Sequence, residues 1–152
     1  MDIATLEAQE ERLVFAGFDE AVALRLGQKL VELGLSRAHP IVITIRTPDR
    51  TLFHAALPGA KPLNDKWALR KSNTTLLFHE ASYLVGSRMR EKGGNLAVHG
   101  CDSETYSESG GSFPIRVQGT GMIGAVTVSG LPQHDDHALV VEAIGALLFP
   151  PA

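Results

Sequence analysis

Two hairpin signals separated by helical stretches predict an α+β domain: an antiparallel sheet of about five strands with helices packed across it. Three observations carry that expectation. Residues 41–57 hold two apolar runs, IVITIR and TLFHAAL, around Thr47-Pro48-Asp49-Arg50. Residues 112–129 hold two more around Gly119-Thr120. Outside these pairs, apolar residues recur at intervals of three and four, the period of a helix resting on a core.

The second hairpin displaces a competing reading. Gly119, Gly121 and Gly124 spell GxGxxG, but a dinucleotide fingerprint needs a helix opening inside it so that the pyrophosphate sits on the helix N-terminus. Here Met122–Val128 reads MIGAVTV, β-branched and apolar, and continues as a strand. Alternation puts Phe113, Ile115 and Val117 on one face of the outgoing strand, and Met122, Gly124, Val126 and Val128 on one face of the returning strand. A glycine in mid-strand marks a bulge or a close approach to the backbone, by a helix in preference to a ligand.

Taken in order, residues 3–11 read as a short polar helix and Leu13–Phe15 as a short strand. Asp19 is the N-cap of a helix whose Val22, Leu26, Leu30 and Leu33 face the core until Gly34 ends it. After His39-Pro40 comes the first hairpin. Both of its faces are largely apolar, so helices cover one side and further helices or another subunit cover the other. Pro58-Gly59 ends it, and Asn64 or Asp65 caps a helix running to about His79. Residues 82–92 are helical again and stop at Gly93-Gly94. Residues 95–111 are a polar loop. A final helix spans about residues 134–149, with Val140, Ile144 and Leu147 on one stripe.

Composition bounds the function. The 152 residues fit a single domain, residues 1–152, and carry a net charge of -3 with no basic stripe for nucleic acid. No stretch reaches membrane-spanning length, and the start MDIATLEAQEERL lacks the character of a signal peptide. The single cysteine, Cys101, excludes an internal disulfide and suits a reducing cytoplasm. Beside His99 it reads as a loop thiol rather than a ligand. Ser112, His99 and Asp102 supply the residue types of a hydrolytic triad without its GxSxG frame. His134-Asp135-Asp136-His137 has spacing for a divalent metal, but carboxylates at a helix start are explained by the dipole and the free N–H groups. Arg70 and Lys71 fit an anion contact, a subunit contact or a solvated face equally.

Two blocks resemble the haem-degrading domain family, the group that includes the glycolate-operon protein, the haem-binding sensor proteins and the C-terminal domain of the propanediol-utilisation adenosyltransferase. One block is Gly59-Ala60, Ala68, Lys71-Ser72 and Thr74. The other is GGSFPI, MIGAVTVSGL and the acidic helix start. Together they span about residues 41–148. The spellings SFPIRV and SGLPQHDDH and the Trp67-Ala68-x-Arg70-Lys71 run are closest to a small bacterial and fungal branch, uncharacterised protein family 0303. Ser72 stands where the wider family prefers alanine, and Thr127 where it prefers glycine.

The resemblance implies a profilin-like domain that assembles into homo-oligomers, with haem or a related tetrapyrrole as the ligand. Haem needs an axial donor near an apolar pocket and cations for its propionates. His54, in mid-strand, is the first candidate for cofactor binding, with Arg46 on the facing strand and Arg116 able to hold a carboxylate; a structural sheet or interface histidine is the other reading of His54. The expectation is an oligomeric, cytoplasmic small-molecule-binding or sensor-like protein. A haem-degrading enzyme and a non-catalytic scaffold stay open beside it.

Overall fold

Each periodic run condenses into one element of the computed structural model, which describes residues Met1–Ala152. In chain order these are α1 (Ile3–Arg12), β1 (Val14–Phe15), α2 (Glu20–Ser36), β2 (Val42–Arg46), β3 (Thr51–Ala56), α3 (Pro62–Phe78), α4 (Ser82–Glu91), β4 (Ser112–Val117), β5 (Gly121–Ser129) and α5 (Gln133–Leu148). A single 3₁₀ turn, Leu96–His99, interrupts the loop after α4. The strands form one sheet in the order β1-β4-β5-β2-β3. The α+β class holds, and so do both hairpins. At one edge the sheet departs from a wholly antiparallel pattern, because β1 lies parallel to β4. This edge strand is two residues long and reaches β4 from the other end of the chain, so no hairpin turn dictates its direction.

Register decides what each face carries. Ile43 pairs with Val128, and Ile45 with Val126, which also pairs with Phe113. These side chains share one face with Ile115. That face meets α2 and α5, whose Leu26, Leu30, Leu139, Val140, Ala143 and Ile144 complete the main core. The opposite face carries Thr44, Arg46, Ala125, Thr127 and Ser112, and α3 packs across it. Both faces are therefore covered within one chain, and the cover left open between a helix and a subunit is a helix.

The second interface is polar and thin. The residues α3 buries are Ala68, Lys71, Ser72, Thr74 and Thr75. Thr127 Oγ1 donates to Ser112 Oγ (2.9 Å), and the Ser112 N–H donates to Ser82 Oγ (3.1 Å). Arg46 Nη1 donates to Ser72 Oγ and Asn73 Oδ1, both at 2.9 Å. Buried polar atoms need such partners. Ser72 and Thr127, the two departures from the wider pattern, both belong to this seam.

Three local expectations change. Helix α2 does not stop at Gly34 but continues to Ser36, because a Cβ at Gly34 would meet the Leu57 side chain and the bare backbone admits it. Helix α3 starts at Pro62, before Asn64 and Asp65; Asn64 instead folds back so that its Oδ1 accepts the Lys61 N–H at 2.9 Å. In β5 the register steps from Ile115–Gly124 to Arg116–Met122, a bulge at Ile123 that moves Met122 off the expected face. What comes close to Gly124 is neither helix nor ligand: a Cβ there would stand 2.7 Å from the Arg46 carbonyl oxygen of β2.

The polar loop is packed rather than free-standing. Leu96 and Cys101 are buried with Val85 and Met89 in a second, smaller apolar cluster. The Ser107 N–H donates to Thr74 Oγ1 (3.1 Å), and Asn73 Nδ2 donates to the Thr105 carbonyl (2.9 Å). No helix is long and apolar enough to cross a membrane.

Candidate functional site

Strand β3 is a sheet edge, and its alternation turns His54 toward the face that α3 covers. His54 Nε2 lies 3.0 Å from Asp65 Oδ1, in the first turn of α3. The pair is half-exposed, at 44% and 46% of the side chains. Arg46 lines the same cleft of about 220 Å³, together with Thr44, Thr51, Ala68 and Leu69. The structure thus brings His54 and Arg46 together. It does not bring Arg116 to them, since β5 and β2 intervene in the sheet. Arg116 Nη2 contacts Glu10 Oε1 at 2.6 Å and the His79 carbonyl. Burial raises the Glu10 carboxyl above its ordinary pKa, while the Ala81 N–H and the Arg116 guanidinium pull the other way.

A second constellation lies beneath α3, out of reach of sequence spacing. Lys71 Nζ is 2.9 Å from Asp136 Oδ2, with the two side chains only 4% and 1% exposed. Asp136 Oδ1 accepts the Leu131 N–H at 3.0 Å, and Lys71 also reaches the Val128 carbonyl at 3.4 Å. Burial raises the Asp136 carboxyl, and the Lys71 ammonium opposes that rise. Expected as a solvated or contact residue, Lys71 is instead one of the most enclosed charges in the chain.

Above this pair is a polar cavity of about 250 Å³, lined by Asn64, Trp67, Ser109, Ser129 and Gln133 among others. On the other flank of Trp67 is a larger cleft, about 420 Å³, which includes Arg70, Leu96, Cys101, Tyr106 and Glu108. The Arg70 guanidinium carbon sits 4.4 Å from the centre of the Trp67 ring. Within this cleft Arg70 Nε and Glu108 Oε2 are enclosed without a hydrogen-bond partner.

Gly110 and Gly111 let the chain pass over the ion pair. Gly111 has φ +139, and a Cβ there would overlap the Val128 carbonyl oxygen and stand 2.9 Å from Lys71 Nζ. Both the left-handed backbone and the crowding penalise a side chain. Gly111→Ala is expected to destabilise the protein by more than about 1 kcal/mol, read as a lower midpoint in urea with unchanged slope.

The remaining candidates resolve individually. His137 is buried, with Nε2 2.7 Å from Gln9 Oε1, and His134 Nδ1 lies 3.5 Å from Asp135 Oδ1. At the start of α5 the backbone carbonyl of Pro132 accepts from Asp135 and Asp136, while the Asp136 carboxylate serves Leu131 and Lys71. Ser112 is committed to Thr127 and Ser82, Asp102 Oδ1 accepts the Thr105 N–H at 2.6 Å, and the His99 ring lies against Phe78 at 5.6 Å.

Comparison with known proteins follows this geometry. Residues 18–145 match the family described as haem degrading protein HbpS-like. A UPF0303 protein from Burkholderia thailandensis is 49% identical over 149 residues, covering 97% of this chain and 90% of that protein. One from Streptomyces coelicolor is 51% identical over 143 residues, covering 93% and 90%. Among solved structures, Ybr137w superposes with a TM-score of 0.90 at 25% identity, covering 100% of this chain and 91% of the other. A PduOC:heme complex gives 0.71 at 21% identity, covering 88% and 95%, which speaks for the fold alone.

Proposed function

We propose, from the premise that this chain belongs to the HbpS-like family of haem degrading proteins, that it binds haem or a related tetrapyrrole as a cytoplasmic, oligomeric sensor-like protein. The observation that carries the reading is His54 with Asp65 behind it. Metal-ligating histidines characteristically hand one ring nitrogen to a carboxylate, which fixes the ring and leaves the other nitrogen to the metal. Arg46 lies on the same cleft, held by Ser72 and Asn73, where it is placed for an anionic substituent. Half-exposed Leu69 supplies an apolar wall. A PduOC:heme complex with the same fold supports testing haem first.

The donor set suits haem, which would supply the iron that His54 ligates. The enclosure in one chain does not suffice: about 220 Å³ is below the roughly 300 Å³ at which ligand pockets begin. A second subunit against the β3 edge would complete the site, and this ties ligand binding to assembly.

Haemin titration tests the reading. A saturable Soret shift is expected, with light scattering giving more than one subunit at micromolar concentration. His54→Ala is expected to change the spectrum and weaken binding; an unchanged spectrum removes His54 as the axial donor and moves attention to Cys101 and Tyr106 in the larger cleft. Loss of the Soret band under reductant and oxygen would identify a haem-degrading enzyme. No shift at all leaves the scaffold reading.

A further inference from the structure

We infer that the cavity over Lys71 and Asp136 is a binding site for a small carboxylate, separate from the His54 cleft and independent of whether haem binds there. The cavity floor is a buried ammonium. An ammonium has three donors, and Lys71 gives one to Asp136 Oδ2 at 2.9 Å and a weak one to the Val128 carbonyl at 3.4 Å. The third has the cavity before it.

The walls lack acceptors to meet that donor. Both Asp136 oxygens are committed, Oδ2 to Lys71 and Oδ1 to the Leu131 N–H. Asn64 Oδ1 accepts from the Lys61 N–H at 2.9 Å, and Gln133 Oε1 accepts from the Gly110 N–H at 2.9 Å. Each of these amides therefore turns its acceptor to the protein backbone and keeps its NH₂ to donate. Ser109 and Ser129 add hydroxyls to the lining. A cavity whose acceptors are spent and whose free groups donate is matched by a ligand rich in acceptors, and a carboxylate forms the stronger, charge-assisted bonds with such a set. The volume, about 250 Å³, restricts the ligand to a few heavy atoms and excludes a macrocycle. The glycine pair is part of the construction: a side chain at Gly111 would press on Lys71 Nζ.

Trp67, the only tryptophan of the chain, lines the cavity and reports on it. The experiment titrates the full-length protein with acetate and malonate, and with malonamide as the uncharged counterpart, following tryptophan fluorescence at constant ionic strength. A saturating change with the carboxylates and none with malonamide is expected. Gln133 lines this cavity and not the neighbouring cleft, and it is exposed at the surface, so Gln133→Glu tests the location without disturbing the core. It should weaken binding by about tenfold or more, as should the paired replacement Lys71→Met with Asp136→Leu. A response that is absent, fails to saturate, is equally large with malonamide or survives in Gln133→Glu overturns the proposal.

Discussion

Lys71→Met is expected to be the most damaging conservative-volume substitution in the chain, lowering stability by about 3–5 kcal/mol in urea unfolding at neutral pH. The cause is what it leaves behind. Asp136 stays fully enclosed without the ammonium that compensates its charge, and an uncompensated buried ion costs far more than a well-formed pair contributes. With Lys71 gone, the rise that burial imposes on the Asp136 carboxyl is no longer opposed, so the folded variant binds a proton that the unfolded chain releases. Its deficit should therefore shrink as pH falls below the variant's own folded pKa. Adding Asp136→Leu should recover part of the loss, though the Leu131 N–H then lacks its acceptor, a residual cost of about 1–3 kcal/mol. A double variant as unstable as Lys71→Met alone would show that the pair's charge is not what the fold depends on.

The second large effect is a pH dependence anchored on His137. Burial holds its pKa down to about 4, with the His134 charge adding to the depression. The unfolded chain protonates this imidazole near pH 6.5 and the folded chain does not until about 4. Between those limits the unfolded state carries the extra proton, so stability falls as pH drops through that window and is level above it. The interval corresponds to about 3 kcal/mol. Glu10 and Asp136, with raised carboxyls, titrate in the opposite sense, so the comparison that isolates the effect is wild type against His137→Gln. The difference between their stabilities should narrow from pH 7 to 4; parallel curves would exclude His137 as the source.

The hairpins were legible because their turn chemistry and alternation are local. The Asp19 cap and the strand that follows the glycines were legible for the same reason. Helix limits at Gly34 and at Asn64 were misjudged because each residue answers to a distant partner or a backbone amide: Leu57 fills the space at Gly34, and the Lys61 N–H claims Asn64. The Lys71–Asp136 pair could not be read from periodicity, since α3 is polar on both its buried and its open side. Its only sequence signal was positional. Lys71 falls in the first of the two blocks that carry the family resemblance, while Gly111 and the acidic start of α5 fall in the second. His54 and Arg46 share a face because a hairpin imposes it, whereas the partner of Arg116 is Glu10, on the first helix.

The parallel pairing of β1 with β4 has a consequence for how the molecule is made. The segment through Phe15 leaves the ribosome early, yet the strand that receives it is encoded near the other end of the message. Until Arg116 has been synthesised, Glu10 has no guanidinium to meet and the border of the sheet stays open. Closing that border joins regions distant in sequence, an entropic cost that precedes any reward. The amino-terminal helix is thus synthesised first and secured to the sheet only when translation is nearly over.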